Sequence, residues 1–144
     1  MVRLIVLAAL TVGLLLAAPP NFSGTWQFDA AKSKGKSESA TLVLNQDAGK
    51  IHVQTLSSSN EKDADFTCGT AGKECEIKDK GKPAKISMWF NGADLVMLET
   101  LGSGGDEIVE RQLELEAGGK SLSVEVKHIV PPGDTETLFF GKSQ

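Results

Sequence analysis

Beyond residue 20, apolar and polar positions alternate with a period of two, and Gly, Asn, Asp or Ser breaks the alternation about every ten residues. No stretch there sustains the helical period, so the pattern predicts strands and no helix. The first strand, 24–30, places Trp26, Phe28 and Ala30 on one face. Strands 40–46 and 50–56 follow, with Leu42 and Leu44 together and Ile51 and Val53 together. Between them Asp47-Ala48-Gly49 predicts a hairpin turn, with Gly49 supplying a positive φ. In 85–91, Ile86, Met88 and Phe90 share a face and Trp89 lies on the other. Asn91-Gly92 is a strong hairpin signal, and 95–101 is the return strand. After a glycine-rich loop at 102–106, strand 107–116 sets Val109, Arg111, Leu113 and Leu115 against polar neighbours. Strand 121–130 groups Leu122, Val124, Val126, His128 and Val130, and strand 135–141 ends the pattern with Leu138, Phe139 and Phe140.

The two cysteines fit the same scheme. If Cys68 lies opposite Cys75, Phe66 falls opposite Ile77, and all four side chains share one face. Asp65, Thr67, Glu74, Glu76 and Lys78 then face outward. A structural disulfide across this hairpin is expected, because a redox pair favours C-x-x-C and a zinc site needs further ligands. The whole pattern is an all-β antiparallel meander with one apolar face per strand. Such a meander buries that face by closing into an up-and-down barrel of about 8–10 strands, which leaves no edge open. A flattened barrel or two-sheet sandwich is the alternative.

The first 18 residues have a different character. Arg3 precedes an apolar run over 4–16, followed by Ala17 and Ala18. That run is shorter than the roughly 20 residues a membrane-spanning helix needs. It reads as a signal peptide, residues 1–18, and the chain is expected to be exported, secreted or periplasmic. Paired cysteines suit an oxidising compartment. Residues 19–144 are expected to form a single domain. With 15 Lys+Arg against 19 Asp+Glu, the formal charge is −4. That balance argues against a nucleic-acid partner. No integral membrane segment is expected after signal cleavage.

The opening of the first strand, Asn21-Phe22-Ser23-Gly24-Thr25-Trp26, resembles the calycin group, the lipocalins and the intracellular fatty-acid-binding proteins. The longer stretch N-F-S-G-T-W-Q-F-D-A-A-K-S-K is similar to the start of small secreted bacterial lipocalin-like proteins of unassigned activity. The resemblance implies that Trp26 packs across a closed barrel end beside a basic side chain from a late strand. Lys142 suits that second role, stacking on the indole, and Arg111 is the rival. Departures are also plain. Fatty-acid-binding proteins insert two helices after the first strand, whereas residues 32–37 read as a short polar loop. They hold a carboxylate with Arg and Tyr, yet this chain has no Tyr and its late strands hold only Arg111. A lipocalin's C-terminal helix is missing too.

Candidate ligand-contacting residues are those that alternate inward: Arg111, His128, Phe90 and Met88. An inward guanidinium needs a partner, either a ligand anion or a structural acid such as Glu99. His128 reads as a hydrogen-bonded rim or core histidine in preference to a catalytic one. His52 and the Asp63/Asp65 pair fall on an outer, solvated face, and Asp63 and Asp65 lack the further oxygens of a calcium loop. No metal or cofactor is expected, and no catalytic motif is present. The leading expectation is non-covalent binding of a small apolar or amphipathic molecule. The alternative is a solid barrel that works as an interaction or inhibitor module through its loops. An enzyme is not expected.

Overall fold

Alternation becomes strand along nearly the whole of the computed structural model, which describes residues 17–37 and 39–143. The ten strands are β1 (Gly24–Lys34), β2 (Thr41–Asp47), β3 (Lys50–Leu56), β4 (Lys62–Gly69) and β5 (Cys75–Asp79), then β6 (Lys82–Asn91), β7 (Asp94–Leu101), β8 (Glu107–Leu115), β9 (Ser121–Val130) and β10 (Glu136–Lys142). Each pairs with its sequence neighbour, and β1 also pairs with β10, so the sheet is a closed barrel. Among the described residues there is no helix. Of the predicted signal peptide, all but Ala17 and Ala18 lies outside the described residues.

The turns form where the sequence places them. Asp47 pairs with Lys50 around Ala48-Gly49, and Gly49 has φ 73°. Asn91 pairs with Asp94 around Gly92-Ala93, where Gly92 has φ 62°. Both are two-residue hairpin loops that need the left-handed backbone glycine supplies at no steric cost.

Strand β1 runs further than the pattern predicts. Its register against β10 slips between Asp29 and Lys34. Asp29 Oδ1 accepts the backbone N–H of Ala31 at 3.1 Å, and Ser33 Oγ donates to Asp29 O at 2.6 Å while accepting Phe139 N–H at 2.8 Å. These local bonds absorb the bulge, and they turn Ala30, expected to face inward, out to solvent. Residues 32–34, expected as loop, are therefore strand. Before the bulge the seam is regular: Phe28 pairs with Phe140, and their rings lie 5.6 Å apart.

The cysteine hairpin keeps its predicted register but loses most of its ladder. Cys68 and Cys75 are bonded, with Cα atoms 6.0 Å apart. Ala64 pairs with Asp79, the register the cysteines require, and it is the only ladder pair assigned between β4 and β5. Lys80 N–H donates to Asp63 O at 2.8 Å beside it. Between that point and the disulfide the two strands part, so this section of wall is clamped at both ends and unpaired in the middle.

Side chains of the inner face make one core. Phe22, Trp26, Leu44, Ile51, Met88, Leu95 and Leu122 are fully enclosed. They gather toward the end of the barrel where the chain enters β1. The other end, reached by the β1–β2, β5–β6, β7–β8 and β9–β10 connections, is less filled.

Candidate functional site

The closed end is built by the six residues 21–26. Asn21 Oδ1 accepts the N–H of Ser23 at 3.0 Å, and Phe22 N–H donates to Gln46 Oε1 at 2.9 Å. Gln46 also donates twice: its N–H to Ser23 Oγ at 2.8 Å and its Nε2 to Pro20 O at 3.0 Å. This network pins the incoming chain to β2. It lets Phe22 turn inward although it precedes the strand, and Trp26 Nε1 donates to Phe22 O at 3.1 Å. The indole is thus buried with its one polar atom satisfied, as burial of a donor requires. Gly24 stands where a Cβ would come within 2.9 Å of Lys142 Cε. Its lack of a side chain lets the lysine stem cross, and Lys142 Nζ lies 5.6 Å from the Trp26 ring centroid. Lys142, not Arg111, occupies the position beside the indole.

The opposite half of the barrel holds a cavity of about 400 Å³. That is within the roughly 300–1,000 Å³ typical of small-molecule sites. The apolar part of its wall includes Leu42, Val53, Phe66, Met97, Val126 and Phe140, from six different strands. Its mouth is framed by Lys36, Ser37 and Ser39 before β2, and by Lys80 and Lys82 at the β5–β6 turn. No helix covers the mouth among the described residues.

Charged side chains line the cavity at several places, and one group of them is in mutual contact. Arg111 on β8 pairs with Met97 on β7, and Glu99 on β7 pairs with Val109 on β8. Arg111 and Glu99 are therefore diagonal neighbours on the inner face, within reach of long side chains. Arg111 Nη1 donates to Glu99 Oε2 at 2.7 Å, with the glutamate side chain 7% exposed and the arginine 31%. Asp79 reaches the same spot from β5. The inward residue of β6 between them is Ala84, level with Ile77 and Leu101. Its methyl group leaves room for the carboxyl groups of Asp79 and Glu99 to share a hydrogen bond. Burial, and then the charge of Glu99, push the Asp79 carboxyl up to about 6, while Arg111 and Lys80 pull the other way. Two carboxyl groups and one guanidinium thus form a single polar cluster on an apolar wall. On the next strand, β9, His128 pairs with Val109, one diagonal step from Arg111, and its Nε2 lies 3.6 Å from Glu136 Oε1.

The sequence-predicted candidates separate into two groups. Arg111 and His128 both line this cavity. Met88 and Phe90 do not line it. Met88 is fully enclosed, and Phe90 packs against Phe22 with ring centroids 6.2 Å apart at the closed end. Alternation assigns these two residues to the inner face but not to a depth along the axis. His52 lies on the outer face, where its Nε2 sits 2.6 Å from Asp65 Oδ1. Asp65 also accepts from Gln54 and Lys62, and those partners hold its carboxyl well below the usual carboxylate range. Trp89 faces outward and is half-buried, and its backbone bridges to Ala71.

Asp79 is a site residue that sequence reasoning missed, although its parity was available. It follows Cys75 and Ile77 at intervals of two, so it points inward with them. Glu99 likewise continues Leu95 and Met97, and was visible as a partner for Arg111.

No family profile matches the sequence, and comparison with curated proteins finds no match. Solved structures do share the fold. A secretory abundant heat soluble protein from Ramazzottius varieornatus is 14% identical with a TM-score of 0.66, over 84% of this chain and 94% of that one. Lipid binding protein 8 from Caenorhabditis elegans is 12% identical with a TM-score of 0.65, over 85% and 95% of the two chains. Fatty-acid-binding protein 1 from Echinococcus granulosus is 13% identical with a TM-score of 0.61, over 85% and 98%. The chain has the calycin-like barrel fold of these proteins.

Proposed function

We propose that this barrel binds a small apolar or amphipathic molecule non-covalently in its open half, as a binding protein and not an enzyme. The observation that carries this reading is the cavity of about 400 Å³, apolar on most of its wall and polar at the Asp79–Glu99–Arg111 cluster. A few placed polar groups on an apolar lining are what orient a ligand in such sites. Structural likeness to proteins named for binding lipids and fatty acids supports the same class of role. A solid interaction module calls for side chains that fill this space. The engagement of Arg111 by Glu99 fits either reading, and the volume supports binding.

We further propose that the protein works outside the cytoplasm. The apolar run over 4–16 after Arg3, the small residues Ala17 and Ala18, and the Cys68–Cys75 bond support export.

The test is uptake of N-phenyl-1-naphthylamine, a neutral dye that brightens in apolar surroundings. The mature chain is expected to take up one dye per barrel with saturable fluorescence. Val126→Phe, which places a ring in the cavity, is expected to remove that uptake while the circular dichroism spectrum stays that of a β-barrel. Undiminished dye binding in Val126→Phe would move the site elsewhere and overturn the proposal.

A further inference from the structure

The cavity has a floor at a fixed level in the barrel. On β6 its lining reaches from Lys82 to Ile86 and stops short of Met88. On β7 it reaches from Leu101 to Met97 and stops short of Leu95. On β9 it reaches from His128 to Val124 and stops short of Leu122. Met88, Leu95 and Leu122, the next inward residues toward the closed end, are each 0% exposed. Register ties this layer to the lowest part of the wall: Met88 pairs with Met97, and Leu95 with Leu113. Rings back the layer from behind, with Phe90 packed on Phe22 and Trp26 fully enclosed. A close-packed layer of this kind does not give way to a ligand pressed against it.

The floor sets a depth. Lys82 to Met88, Leu101 to Leu95 and His128 to Leu122 are each a step of six residues along a strand. At ~3.3 Å per residue, on strands tilted by about 40° to a barrel axis, that step is about 15 Å from rim to floor. An extended alkyl chain with C–C bonds of ~1.5 Å advances ~1.3 Å per carbon, so about twelve carbons reach the floor. Volume leads to the same limit by a separate route. If each non-hydrogen atom takes about the 30 Å³ of a water molecule, a cavity of about 400 Å³ holds about thirteen. The charged lining does not choose a head group by its sign, because cationic side chains and carboxylates number four each among the described lining residues.

Resting on the reading of the cavity as a ligand site, we propose that the barrel selects its ligand by length: it takes an apolar portion of about twelve non-hydrogen atoms, and Met88 and Leu95 set that limit. Longer chains are not shut out, since no helix covers the mouth among the described residues. Their excess carbons stay in water, where they add no affinity.

The experiment uses straight-chain primary alcohols from hexanol to tetradecanol, whose head group is neutral, and reads their displacement of N-phenyl-1-naphthylamine from the mature chain. Affinity is expected to rise roughly fourfold with each added carbon, the gain from burying a methylene, and to level off at about twelve carbons. Met88→Ala and Leu95→Ala each cut a floor side chain back to its Cβ, so their limit is expected to move up by about three carbons. Both variants should therefore still gain affinity at tetradecanol, where the parent has levelled off. Phe22→Leu, behind the floor, should leave the limit where it is, so a general loosening of the core is distinguished from a deeper cavity. In the parent, affinity that levels off before decanol or still rises fourfold per carbon at tetradecanol overturns the length limit, and this arm needs no variant. The alcohols have then displaced the dye, so the reading of the cavity as a ligand site stands. An unmoved limit in both alanine variants, with the circular dichroism spectrum of a β-barrel retained, removes Met88 and Leu95 as the floor. If neither the dye nor any alcohol binds, the cavity reading fails as well.

Discussion

Lys142 and Trp26 are ladder partners across the β1–β10 seam, and the lysine ammonium lies 5.6 Å from the centre of the indole ring. The last strand of the chain therefore closes on the first through a cation set against an aromatic face, at the end opposite the cavity. Most of the energy at this place is in the ring, which is 0% exposed, and less is in the charge. Trp26→Ala is expected to cost about 3–5 kcal/mol through lost burial and the void left behind. Lys142→Ala is expected to cost roughly 0.5–1 kcal/mol, and less once Trp26 is already alanine. Urea unfolding of the two single variants and the double variant measures the coupling. Additive losses would show that the lysine acts on something other than the indole.

The Cys68–Cys75 bond holds the part of the wall where β4 and β5 lack a ladder. Closing a loop this short contributes about 2–3 kcal/mol by restricting the unfolded chain. Replacing both cysteines by serine is expected to lower stability by that amount. Amide exchange should quicken most in residues 66–77, where β4 and β5 pair with their other neighbours but have no ladder between them. Exchange that quickens uniformly over the barrel would mean the bridge is not a local clamp.

Strand number, pairing partners and the inward face of most strands are legible in this sequence, because a closed sheet forces every strand to show one apolar side. Phase is what alternation reports, and it places Arg111, Glu99 and Asp79 on the inside alike. Depth is not in the phase. Met88 and Phe90 face inward as surely as Met97, yet only Met97 reaches the cavity, since the tight turn at Gly92 sets how far along the axis each lies. Ala30 shows the other blind spot. A bulge held by Asp29 and Ser33 inverts the alternation, and nothing in the spacing of apolar residues marks it. The cavity itself is a property of side-chain sizes across the barrel, such as Ala84 between two carboxylates, and becomes visible only once strands three apart are brought together.

The ion pair at the cavity wall should respond unequally to loss of either member. Glu99→Gln leaves Arg111 beside the Asp79 carboxylate, an alternative partner. Arg111→Met leaves two hydrogen-bonded carboxyl groups, one of them buried, facing each other with Lys80 as the remaining cation acting on Asp79. The arginine variant is expected to lose more, on the order of 2–4 kcal/mol at pH 8, and to recover much of it at pH 5 as the carboxyl pair holds a proton. The double variant Glu99→Met with Arg111→Met should regain most of the loss, because apolar replacements leave no unpaired charge. Thermal unfolding of the three variants at both pH values tests this order. A larger loss for Glu99→Gln would reverse the assignment of which group depends on the other.

Asp79 gives the fold itself a pH dependence with a definite sign. Its carboxyl is raised from 3.8 to about 6 in the folded protein, so the folded state holds the proton more tightly than the unfolded one. Its favourable contribution is then full below the unfolded value and is lost as pH rises through the folded value, over a window from about 4 to 6. Above that window an ionised carboxylate must be kept beside Glu99, at a cost on the order of 1–2 kcal/mol once its partial exposure to solvent is allowed for. Asp79→Asn keeps the shape and removes the charge. The variant is expected to be more stable than the parent at pH 8 and to lose that advantage by pH 4. Other carboxylates, such as Asp65 with its charge-assisted bonds on the outer face, titrate in the opposite sense and are common to both proteins. The difference between parent and variant, followed by urea unfolding across this range, therefore isolates Asp79. A difference that stays constant with pH would place the Asp79 carboxyl outside the polar cluster.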